Sequence, residues 1–173
     1  MFLICICLAP SAWTQAHTSS RHTIITFAVP GAQSTVANDI NASGTITGSA
    51  YRRIRQFQVL QFGFLRSPDG SFTTFNVGHS LPTYSISINP EGAITGHYSD
   101  LPNGANHGFL RAPDGTITKF DVPGAGKEYD NGTVGSSINS AGAIAGYYRD
   151  SNSVNHGFLR APDGTITKII RAP

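Results

Sequence analysis

Cysteine is confined to the first seven residues of the chain, at Cys5 and Cys7. Beyond them no disulfide and no thiol chemistry is available, so packing alone must hold the fold. Charge is scarce as well: only 13% of the 173 residues are charged, 12 basic against 10 acidic, for a net +2. That balance gives no basic field for nucleic acid, and the aromatic residues recur at core-like positions, not as a base-stacking platform. The sole basic cluster, Arg52-Arg53-Ile54-Arg55, reads as a solvated loop face. Lysine occurs only at 119, 127 and 168. Runs of the strong helix formers are missing, and no window carries a 3.6-residue apolar period. No Gly-x-Ser-x-Gly elbow, phosphate-cradling glycine loop or Cys/His ligand cluster is present, so no cofactor, no metal and no catalytic residue is assigned.

What the chain has is repetition. His107–Lys119 and His156–Lys168 are identical letter for letter, and Phe62–Thr74 is a looser copy. A second stretch, Ile-Asn-x-x-Gly-x-Ile-x-Gly, begins at Ile40, Ile88 and Ile138. Asn41 and Asn89 are 48 residues apart and Asn89 and Asn139 are 50 apart; for Gly63, Gly108 and Gly157 the spacings are 45 and 49. A period just under 50 is the size of a four-stranded propeller blade, roughly 40–50 residues.

The middle copy reads as four short strands. Tyr84–Ile88 alternates polar and apolar residues, Asn89–Gly92 is a turn, and Ala93–Tyr98 is a second strand. A polar loop leads to the strand His107–Arg111. Pro113-Asp114-Gly115 turns the chain into Thr116–Val122, which Pro123-Gly124 ends. His22–Gly31 matches that last strand and stands alone at the start. The expected fold is therefore all-β: a β-propeller-like array of three four-stranded antiparallel blades plus one leading strand. The repeats fall at about 33–78, 79–125 and 126–170, the leading strand at 22–31, all in one domain spanning 17–173. A β-solenoid is the structural alternative. Three blades fall short of the 4–8 that close a ring. The array is then a piece of a longer reading frame, an open arc, or a ring completed by self-association.

Met1–Ala9 is apolar and too short to span a bilayer; small residues follow it at Ser11–Ala16. Residues 1–16 are read as a secretion signal whose beginning is cut off, which places the mature chain in the extracellular or periplasmic space with no membrane span.

Arg66, Arg111 and Arg160 close the third strand of each copy and are candidates for an anion-binding ring. The competing reading is structural, with each Arg hydrogen-bonded to the Asp three residues on (Asp69, Asp114, Asp163). His107 and His156 read as hydrogen-bonded structural histidines, and the loops at Asp100 and Asp150 as polar turns, not calcium loops. Sites on repeat arrays come from what differs between copies. The most variable pieces are 49–61 and 124–134. Phe120 to Asn139 is 19 residues against 14 for Phe75 to Asn89, which extrudes Lys127, Glu128 and Tyr129 as candidate ligand contacts.

At its His-Gly-Phe-Leu-Arg motif the chain resembles the HAF-family extracellular repeat proteins of bacteria, which pair the Ile-Asn-x-x-Gly-x-Ile-x-Gly stretch with His-Ala-Phe-Leu-Trp. Here Gly108 and Gly157 replace the alanine, Arg111 and Arg160 replace the tryptophan, and the first copy lacks the histidine. The resemblance implies export and a propeller-like β fold and brings no catalytic residues. The expected function is a non-enzymatic binding or interaction module for an unidentified protein or glycan. One alternative is a carbohydrate-active hydrolase or lyase working through Asp39 or Glu91 in the channel of a completed ring. A structural spacer is the other.

Overall fold

The computed structural model describes residues 23–56, 58–78, 82–100 and 104–169. The expected secretion signal lies outside them. The described chain is all-β, with twelve strands and no helix. Repeat one comprises β1 (Ser34–Ile40), β2 (Ile46–Arg55), β3 (Gln58–Arg66) and β4 (Phe72–Phe75). Repeat two comprises β5 (Thr83–Ile88), β6 (Ile94–Ser99), β7 (Asn106–Arg111) and β8 (Ile117–Phe120). Repeat three comprises β9 (Gly132–Ile138), β10 (Ile144–Arg149), β11 (Asn155–Arg160) and β12 (Ile166–Ile169). Each repeat is an antiparallel meander. Repeat one forms its own sheet; repeats two and three are stitched into one by a single parallel bridge, Asn106 to Gly132. No described sheet closes on itself.

The repeated motifs account for the repeated geometry. In every copy the first strand carries one extra residue against the second: Asn38, Ile86 and Ser136. This bulge pushes a first-strand carbonyl (Val36, Tyr84, Val134) onto the second strand, where a Cβ on Gly48, Gly96 or Gly146 would collide with it. The last glycine of Ile-Asn-x-x-Gly-x-Ile-x-Gly is there because only hydrogen fits. The Asn of that motif folds its Oδ1 over its own turn, accepting from the N–H of Thr45, Ala93 or Ala143. Its Nδ2 reaches the neighbouring repeat: Asn41 donates to the Asn89 carbonyl and Asn89 to the Asn139 carbonyl, at 3.2 and 3.1 Å.

The cores sit between repeats. Phe75 and Val77 leave β4 and join a cluster with Ile88, Ile94 and Phe109 of repeat two. Phe120 and Val122 leave β8 and join Ile138, Ile144 and Phe158 of repeat three. The valine N–H is taken by the hydroxyl of the threonine that opens the next repeat, Val77 to Thr83 and Val122 to Thr133, at 3.1 and 3.0 Å. Each repeat thus lends an outer-strand tail to its successor, which makes stability a nearest-neighbour property.

Two expectations need correction. The leading segment is not a strand: residues 23–29 carry no regular structure. Among the described residues no strand edge pairs with it, yet Phe27 and Val29 still enter the core of repeat one as the other tails do, with Val29 N–H donating to Thr35 Oγ1 at 3.0 Å. The Arg52–Arg55 cluster is not in a loop. Arg52, Arg53 and Arg55 lie in β2, which with β3 forms a long exposed hairpin pairing Arg52 with Leu60 and Arg53 with Val59.

Candidate functional site

The three repeated arginines are spent on packing. Arg66, Arg111 and Arg160 lay their guanidinium groups 5.0, 5.1 and 5.1 Å from the ring centroids of Phe27 in the leading segment and of Phe75 and Phe120 in the tails of repeats one and two. Each Nη1 donates to the next carbonyl, of Ser67, Ala112 or Ala161. Burial lowers the Arg111 pKa. The expected hydrogen bond to the Asp three residues on is not made. Asp69, Asp114 and Asp163 accept instead from the backbone N–H of Ser71, Thr116 and Thr165, which holds these carboxyls below their usual range. The guanidinium contributes only through the weaker Coulombic attraction. The arginines belong to three different repeats, and each makes these contacts at its own junction.

The inserted loop behaves differently. Residues 124–131 run across the junction of repeats two and three and line two adjoining clefts. The first, about 340 Å³, is walled by Asp100, His107, Asp121, Gly124 and Lys127. The second, about 430 Å³, is walled by Tyr84, His97, Asp100, Tyr129, Asp130 and Tyr147. Asp100 and Asn106 belong to both walls. Lys127 lines the first cleft and Tyr129 the second; Glu128 lines neither, and its carbonyl caps the loop by accepting from Asn131 N–H. Tyr129 is 84% exposed and its ring lies so close over Gly104 that a Cβ there would come within 2.6 Å. Arg149 pins the loop through Asp130 at 3.0 Å.

In the second cleft His97 stacks on Tyr84, its partner across β5 and β6, with centroids 4.5 Å apart and planes 10° from parallel. Burial pushes its pKa down to about 4, against a small opposing pull from Asp130, so the ring is neutral at pH 7. Its Nδ1 is buried without a partner. Burial also raises the Tyr84 phenol. The cleft offers flat aromatic faces beside carboxylate and amide oxygens, a set that holds a polar ring by stacking and hydrogen bonds at once.

In the first cleft His107 bridges two carboxylates, Asp121 at 2.9 Å through Nδ1 and Asp100 at 3.3 Å through Nε2. Burial pulls its pKa down, but Asp121 and then Asp100 outweigh it and the net shift is upward. Its ring stacks on buried Tyr98, with centroids 5.1 Å apart, and Lys119 covers Tyr98 at 4.9 Å. Repeat three repeats the arrangement with Tyr148, His156, Lys168 and Asp150. Repeat one has Phe62 instead, beneath Arg52 at 5.5 Å. The two histidines thus have structural partners, as their place in the repeat implies.

Asp39 and Glu91, the candidates of the hydrolase reading, lie apart in function. Asp39 accepts from Ser87 Oγ and Ile88 N–H, both at 2.9 Å, and so ties repeat one to repeat two. Glu91 is exposed in the β5–β6 turn. No group of three or more His, Cys, Asp or Glu among the described residues could hold a metal ion. Asp150 Oδ1 instead caps its own loop through Asn152 and Val154.

Sequence reasoning missed Tyr84, His97 and Tyr147. The signal was there: equivalent places read Val36, Tyr84, Val134 in one row and Ser49, His97, Tyr147 in the other, so the copies differ where the cleft is. No family model, no curated protein and no solved structure matches the chain.

Proposed function

We propose that this chain is a non-enzymatic, exported binding module built as a propeller-type array, and that it takes a glycan in the cleft between repeats two and three. The observation that carries this reading is the second cleft. The side chains that break the repeat, Tyr84, His97, Tyr129 and Tyr147, gather there with Asp100 and Asp130. Blade-sized repeats packed face to face support the array; a surface rich in Ser, Thr, Asn and Gly and poor in Lys supports export. Tyrosine rings present large rigid faces at little entropic cost, and the adjacent carboxylates accept from sugar hydroxyls. Calorimetry against a panel of neutral oligosaccharides tests this. Retention of one of them, weakened at least ten-fold by Tyr129→Ala or Tyr147→Ala with the circular dichroism unchanged, is the expected result. Binding indifferent to both substitutions would refute it.

A further inference from the structure

The two internal junctions follow one plan, which shows what the outer faces of the array lack. Phe75 does two things. In its own repeat it pairs with Gly63 and lays its ring over that glycine, where an added Cβ would come within 2.5 Å of the ring. In the next repeat it packs edge-on against Phe109 at 6.0 Å and lies under Arg111. Phe120 does the same, over Gly108 and against Phe158 at 6.0 Å, under Arg160. Phe27 does only the second half: it meets Phe64 at 6.3 Å and Arg66, and its ring covers none of the described glycines as Phe75 and Phe120 cover theirs. Gly157 has only the first half. The residue over it is Ile169, looser at 3.3 Å from an added Cβ, and 63% exposed. Phe27 and Gly157 are the two unmatched halves of the same junction.

The faces around them are unmatched in the same way. Ile88 and Ile138 are 5% and 6% exposed, whereas the equivalent Ile40 is 60% exposed, with Val36 beside it at 54%. Leu65 and Leu110 pack on the core of the following repeat, whereas the equivalent Leu159 is 46% exposed. Asn139, exposed, carries the next amide in the Asn41–Asn89–Asn139 row. Where Thr47 meets Ser85 and Thr95 abuts Gly135, the outer faces carry Ala145 and Ala37, two small apolar residues that suit one another.

We infer that the face of repeat three binds the face of repeat one of a second copy, with Phe27 of that copy displacing Ile169 from above Gly157. Such a contact is heterologous: it closes into a ring if the rotation allows and otherwise continues head to tail. Within it Ile24 and Ile25, 89% and 71% exposed, extend along β11 in the place of β12. Phe27 keeps its seat against Phe64 and Arg66, as Phe75 keeps its seat on repeat two.

Sedimentation of the full chain over a hundred-fold concentration range tests the inference. The expected result is a species of at least twice 18.3 kDa. Ile40→Asp and Leu159→Asp should each yield monomers with unchanged circular dichroism. Mixed, they should form a one-to-one pair, because each keeps one intact face. Gly157→Ala separates strand exchange from simple face contact. Ile169 tolerates the added methyl and a phenylalanine ring does not, so this variant should fold normally and associate at least ten-fold more weakly. Pairing of Gly157→Ala with Phe27→Ile should restore association. A monomer at all concentrations, assemblies that survive both aspartate substitutions, or a mixture that fails to pair would overturn the inference. Unweakened association of Gly157→Ala would overturn the displacement of Ile169.

Discussion

Arg111 and Phe75 belong to different repeats, yet the guanidinium of one lies 5.1 Å from the ring centroid of the other. The ring is hydrogen-bonded through its backbone into repeat one and packed into repeat two, so the pair fastens two meanders that share no strand pairing there. Phe75→Ala removes the shared ring and should cost about 3–5 kcal/mol, the range for a large aromatic cut to alanine in a core. Arg111→Lys should cost about 1 kcal/mol, because an ammonium cannot stack its plane on the ring. Urea denaturation measures both. Loss of cooperativity in Phe75→Ala, with repeat one melting first, is the expected signature of nearest-neighbour coupling.

Gly96 faces the bulged carbonyl of Tyr84, and Gly157 faces the flexible end of Ile169. The same substitution to alanine therefore has two outcomes. Gly96→Ala forces backbone apart within the inner hairpin of repeat two and should lower the melting temperature by about 5–10 °C, equivalent to about 2–3 kcal/mol for a domain of this size. Gly157→Ala should move it by less than about 3 °C. Equal effects would mean that the bulge does not constrain position 96.

The histidines give opposite dependences on pH. His97 has a folded pKa of about 4, below its unfolded value near 6.5. Between those values only the unfolded chain takes up the proton, so stability falls as pH drops through that window, by on the order of 3 kcal/mol at its foot. His107 is shifted upward by its carboxylates. Its contribution is complete below 6.5 and is lost as pH rises through the raised value; it is small because Asp121 is half exposed. Denaturation from pH 4 to 8 should show the acid-side loss abolished in His97→Phe, and a weaker neutral-side loss abolished in His107→Gln.

Loop 124–131 invites deletion as a test of binding, and the structure says what that test would confound. Asn131 is 3% exposed and its carbonyl accepts from Asn106 N–H at 2.7 Å beside the Asn106–Gly132 bridge between repeats two and three. Removing 126–131 should therefore lower the melting temperature, whereas Tyr129→Ala, at a side chain 84% exposed at the cleft wall, should leave it within about 2 °C. Thermal unfolding of the two variants side by side checks this.

The turn residues and the period of the copies were legible in the chain because they are local. Asn89 and Gly92 must turn, Ile94 must point inward, and the repeat length fixes four strands per unit. The role of Arg111 was not legible, since its ring partner lies in another copy 36 residues away. The leading segment misled because a strand is a relation between two segments: Thr23–Phe27 has the composition of an outer strand, and no edge among the described residues pairs with it. The β2–β3 hairpin was misread because arginines suggest a loop, whereas cross-strand partners on β3 keep Arg52 and Arg53 extended.

The sequence by itself determined the repeated β meander: side-chain alternation, turn glycines and close-approach glycines act over a few residues and need no distant partner. Only the tertiary structure decided which tail enters which core, that each repeated arginine stacks on a tail phenylalanine, and that Tyr84, His97, Tyr129 and Tyr147 share one cleft. Those outcomes depend on how adjoining repeats pack, and packing brings together positions that the linear order keeps tens of residues apart.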